Sequence, residues 1–126
     1  MKGSTPTVYL ASPVFREIAD NPRVSVKYKF LINKVWSNLN TAANVIVAES
    51  RFPSVAEMRR VIEQNEVDFI GCHIGHPIPE EIVSLPSVKA VSTSNVGWNH
   101  IFLHPGVIVT NTPGVLAGTI ADYTLS

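Results

Sequence analysis

A single cysteine, Cys72, occurs in the chain, so no internal disulfide can staple it and the fold must be held by burial, as in a reducing compartment. Long apolar runs are missing too. Nothing approaches the ~20 consecutive apolar residues that cross a bilayer, and Met1 to Thr7 lacks the apolar stretch of a secretory signal. A cytoplasmic protein with no membrane partner is the expectation. An excess of charge is likewise absent: 10 Lys and Arg balance 10 Asp and Glu, and the basic residues are scattered. That removes the electrostatic footprint needed for sequence-independent phosphate contacts, so nucleic acid is not an expected partner. There is no internal repeat or low-complexity tract. What remains is 126 residues, 45% hydrophobic and 16% charged, enough apolar material for one continuous core and one domain over residues 1–126.

Five short runs rich in β-branched residues read as strands: Val8 to Ala11, Val45 to Ala48, Val67 to Cys72, Lys89 to Ser94 and Val107 to Thr110. They are near-continuously apolar rather than alternating, the pattern of parallel strands covered on both faces. Ser54 followed by Glu57 forms a capping box, and Val55, Met58 and Ile62 continue an apolar stripe, which predicts a helix from there to near Asn65. The segment Arg23 to Asn40 fits two patterns. Val24, Val26, Tyr28 and Phe30 alternate as in a strand, but Asn21-Pro22 as a start signal and the stripe Val24, Tyr28, Leu31, Val35, Leu39 favour a helix. A short helix is expected from Pro79, with Glu80 and Glu81 at its positive end, closing by Leu85-Pro86. Strands alternating with helical crossovers predict an α/β fold, a flavodoxin-like three-layer parallel sheet with helices on both faces. The last segment, Thr119-Ile120-Ala121-Asp122, looks like a cap and a helix hardly begun, from which a truncated inter-domain helix and a longer natural chain are expected.

In open α/β sheets ligands bind beyond the carboxyl ends of the strands. The segments to examine are therefore Gly71 to His76, Ser94 to Ile101 and Asn111 to Val115. Gly97 stands where the chain turns out of a strand, and glycine there lets successive backbone amides converge on an anion such as a carboxylate. A plain turn glycine fits the same position.

The run Val91-Ser92-Thr93-Ser94-Asn95-Val96-Gly97-Trp98-Asn99-His100-Ile101, then Gly106 to Val115, then Ala121-Asp122, resembles the D-2-hydroxyacid dehydrogenases, specifically from about Val67 onward. The resemblance implies the outer, substrate-binding domain of a two-domain enzyme that uses NAD or NADP to interconvert a 2-hydroxy acid and a 2-oxo acid. It places the substrate carboxylate on the amides of Val96 and Gly97, beside Asn95. His73, Ile74 and Gly75 then fall at the substrate's other end, and Ile120, with Val96, at the nicotinamide. The family's catalytic histidine, its acidic partner and its arginine have no counterpart in this chain, and no G-x-G-x-x-G occurs. The isolated chain is thus expected to be inactive, without a tightly bound cofactor and with no catalytic residue of its own. The full-length protein is expected to be a homodimer and this chain a monomer or a non-native dimer. Asn99 departs from the usual aspartate, and Ala117-Gly118 from the usual polar pair, which leaves substrate shape and cofactor preference open.

Cys72, His73 and His76, with His100 and His104 at helical spacing, form a conceivable zinc set. Pro77 and Pro105 interrupt that geometry, so no metal site is expected, and His73 or His76 facing a substrate cleft is preferred. Cys72 reads as a buried small hydrophobe, Trp98 as a packing anchor, and Asp68 as a solvated or turn-forming residue at the far end. A free-standing ligand-binding or regulatory module without catalysis is the alternative. Within that class, Ala11-Ser12-Pro13 offers neither the acidic cluster of a phosphoacceptor receiver nor a flavodoxin's phosphate loop.

Overall fold

The computed structural model describes residues 5–17, 20–73, 75–94, 97 and 99–111. The expected terminal helix, with Ile120, lies outside the described residues. The elements are β1 (Thr7–Leu10), α1 (Val14–Glu17), α2 (Val26–Ala42), β2 (Asn44–Val47), α3 (Val55–Asn65), β3 (Phe69–Cys72), α4 (Glu80–Val83), β4 (Ala90–Thr93) and β5 (Ile108–Thr110). All pairings are parallel and the order is β2-β1-β3-β4-β5, the flavodoxin-like α/β arrangement anticipated from the alternating pattern.

Register divides the side chains into two sets, because successive residues of a strand point to opposite faces. Ile46, Tyr9, Ile70, Val91 and Val109 form one row across the sheet, and Val45, Val8, Phe69, Ala90 and Ile108 the next. The first row carries the core, joined by Met58 and Ile62 of α3 and by Ile82 and Val83 of α4, all buried. Burial, with the Glu57 carboxylate adding to it, pushes the Tyr9 phenol up to about 12. Helix α3 starts as read: Ser54 Oγ accepts from the Glu57 amide at 3.1 Å. It stops where Glu66 enters the left-handed region, at φ 48°, and sends its N–H back to the Ile62 carbonyl.

The segment of ambiguous pattern is a helix, α2, but its start and its buried face differ from the expectation. Ser25, not Asn21-Pro22, caps it, with Ser25 Oγ accepting from the Tyr28 amide at 3.4 Å. Asn21 instead accepts from the Arg23 amide at 2.9 Å, closing a separate turn before the helix. No residue of α2 is buried; Leu39, Ile32 and Trp36 are half-covered beside β2, while Tyr28, Leu31 and Val35 of the expected stripe are exposed. Pro79 caps α4 rather than opening it, and Glu80 is the first helical residue. The four-residue α1 was not foreseen, being too short to show a period.

Asp68 overturns its reading as a solvated residue. It is 4% exposed, its Oδ2 accepts from the Thr7 amide at 2.8 Å, and its Oδ1 lies 3.2 Å from Lys89 Nζ. One buried carboxylate thus ties together the amino ends of β1, β3 and the approach to β4.

Candidate functional site

At the carboxyl ends of the strands the ladder carries on into the loops: the Ala11 amide donates to the Gly71 carbonyl, Ala48 to Leu10 and Ser94 to Cys72, each at 2.9 Å. The segments leaving β1, β2, β3 and β4 therefore start from one platform. The β1 exit is closed. Ser12 is fully buried, its Oγ accepts from the Val14 amide at 3.1 Å, and Pro13 has no N–H to offer a phosphate. This turn does not fit a nucleotide phosphate.

The β3 exit is built on histidines. His76, 1% exposed, accepts from the His73 amide through Nδ1 at 3.0 Å, and its Nε2 meets the Arg51 carbonyl at 2.8 Å. His73 in turn accepts from the Gly75 amide through Nδ1 at 3.1 Å. The rings lie against each other with centroids 3.8 Å apart and planes tilted by 38°, and Phe52, from the loop after β2, stands edge-on to His73 at 5.6 Å. A Cβ at Gly75 would come within 2.5 Å of Phe52 Cε1, so the ring would have to shift to admit one. Of the two histidines proposed to face a cleft, His76 does not: it is an internal strut between two loops. His73 is half-buried and stands beside it, its proton affinity lowered by burial and by the nearby His76 and His100.

The β4 exit meets this region through His100. Thr93 Oγ1, fully buried, is 3.1 Å from His100 Nε2, and Cys72 Sγ is 4.0 Å from the same atom. Burial, partly offset by a hydrogen bond from Thr93, pushes the Cys72 thiol up to about 11, so it stays a thiol, as a small hydrophobe would be expected to. His100 itself is pushed below the ordinary histidine range by burial and by His76. His100 and His104 do not share a helix. Ile101 pairs with Ile78 in a parallel bridge, where the Ile78 amide donates to the His100 carbonyl and the Phe102 amide to the Ile78 carbonyl, both at 2.8 Å. His104 Nδ1 lies 2.8 Å from its neighbour's carbonyl, that of Pro105. Among the described residues no three His, Cys, Asp or Glu converge as a metal site.

His73, Gly75 and Gly97 are thus described, the first two in one turn and Gly97 exposed on the β4 exit with its own partner. Ile74, Asn95, Val96 and Ile120 lie outside the described residues. Sequence reading missed Arg51 and Phe52, whose role comes from the fold bringing the β2 exit against the β3 exit; no local pattern announces it. A hollow of about 310 Å³, lined by Val8, Leu10, Leu39, Phe69, Gly71 and Ser94 among others, runs along the open sheet face toward these exits. Gly71 keeps it shallow-walled, for a Cβ there would sit 2.6 Å from Leu10 Cδ2.

The architecture defines a parallel α/β domain in which the β3 and β4 exits meet at one end of the sheet. No family model matches the sequence. The chain is similar to a glyoxylate reductase of Thermofilum pendens, 34% identical over 96 residues that cover 71% of this chain. It spans 28% of that relative's length.

Proposed function

We propose that this chain is the substrate-binding domain of a D-2-hydroxyacid dehydrogenase, acting on a small 2-oxo acid or the corresponding 2-hydroxy acid. The observation that carries the reading is the similarity to a glyoxylate reductase in a chain whose parallel strands deliver the His73–Gly75 turn and the Gly97 segment to one end of the sheet. Glyoxylate sets a carboxylate beside a reactive carbonyl, so its site needs anion donors next to an uncharged wall. In this reading the amides of Val96 and Gly97, with Asn95, hold the carboxylate. The turn bearing His73, Ile74 and Gly75 bounds the other end, and Ile120 with Val96 faces the cofactor. NAD or NADP supplies the hydride when bound. The closed Ser12-Pro13 turn does not fit its phosphates, so its binding belongs to a separate domain, together with the acid/base histidine, its carboxylate partner and the arginine. The whole protein is a homodimer in this reading, and these 126 residues turn over no substrate.

Titrating the ¹⁵N-labelled chain with glyoxylate tests the reading. Weak saturable shifts at the His73, Gly75 and Gly97 amides are expected, along with no oxidation of NADH or NADPH. Shifts confined to the Arg59–Glu63 side of α3, or none at all, would remove the assignment.

A further inference from the structure

We propose that His73 and His76 form a proton-operated latch: the turn after β3 keeps its shape only while both imidazoles are uncharged, and releases in mild acid. The geometry is specific about protons. The His73 amide donates to His76 Nδ1 at 3.0 Å and the Gly75 amide to His73 Nδ1 at 3.1 Å. A ring nitrogen that accepts carries no proton, so each neutral ring holds its proton on Nε2. For His76 the second contact agrees, because Nε2 faces a group that can only accept, the Arg51 carbonyl at 2.8 Å.

Protonating either Nδ1 would set an N–H against a backbone N–H and place a cation within a pair of rings whose centroids are 3.8 Å apart. Three of the described neighbours give that charge no support. Arg51, whose carbonyl receives His76, has its guanidinium paired with Glu17 Oε2 at 2.8 Å; His100 lies close enough to lower the proton affinity of His73; and Cys72, which precedes the pair, stays a neutral thiol. Phe52 sets an uncharged ring against both imidazoles. The sign for His73 follows from its lowered value. The closed turn is fully favoured above the ordinary histidine value of about 6.5, and that preference is lost as pH falls through the shifted one. His104 supplies an internal contrast, since its Nδ1 must donate to the Pro105 carbonyl and a further proton on Nε2 leaves that bond intact.

The test is a titration of the labelled chain from about pH 7.5 to about pH 5, reading imidazole nitrogens by long-range ¹H–¹⁵N correlation and backbone amides by hydrogen exchange. At the upper end both His73 and His76 should show the Nε2–H tautomer. On acidification the protection of the His73 and Gly75 amides should fall at least about tenfold, while Ile62 in α3 keeps its own. His76→Gln, which retains a donor and an acceptor but does not titrate, should leave the His73 amide insensitive to pH. If that variant does not fold, His73→Gln should do the same for the Gly75 amide. A proton on Nδ1 of either ring near neutrality, unchanged protection across the range, or an equal loss in α3 would each overturn the latch. No hydroxy acid or cofactor enters the measurement, so its failure would leave the dehydrogenase reading untouched.

Discussion

On one face of the sheet Tyr9, Ile70 and Val91, at the centre of their row, are each at most 1% exposed, whereas the next row along the same strands includes Phe69 at 37% and Ile108 at 65%. Both rows are almost equally apolar in sequence. The difference lies in what packs on them: α3 and α4 lay Met58, Ile62, Ile82 and Val83 on the first, while α2 packs chiefly beside β2 and leaves a hollow along the second. A run of apolar residues therefore states a strand's capacity for burial, and the helices decide where that capacity is used.

Substitutions can break or sharpen this contrast. The largest effect is expected from Ile62→Ala, which opens a cavity beneath the covered row and should cost about 3–4 kcal/mol in urea unfolding. A cost below about 1 kcal/mol would mean the two faces are energetically alike. Asp68→Ala strands the buried Thr7 amide and should cost about 2–3 kcal/mol, while Asp68→Asn, keeping an acceptor, should recover part of that. Next comes chemical access to the covered face. With its thiol pushed up to about 11 and 1% exposed, Cys72 should be alkylated at neutral pH roughly a hundredfold more slowly in the native chain than in the chain unfolded by urea. The smallest effect is expected on the open side: Val35→Ser, at a position 65% exposed, should change stability by less than about 0.5 kcal/mol.

All five strands were legible because each is a compact β-branched run bounded by turn residues, and α3 because its cap and stripe agree. The helical nature of α2 was legible but its start was not, because Asn21 closes a turn of its own and Ser25, which no expectation named, caps the helix. Asp68 could not be read correctly from position alone. Its partners, Thr7 and Lys89, are brought to it by parallel pairing, which a single sequence does not display. The same holds at the candidate site. The turns after β3 and β4 follow from strand ends, but His76 as a strut depends on Arg51, a residue from another crossover.

The bridge between Ile78 and Ile101 has a consequence for how such a site can be altered. Both the amide and the carbonyl of Ile78 are committed to residues flanking Ile101. The two walls are hinged together like facing pages on one spine, and lengthening or redirecting either one displaces the other. Engineering that aims to change what fits between them should vary both segments at once, in matched pairs rather than one position at a time.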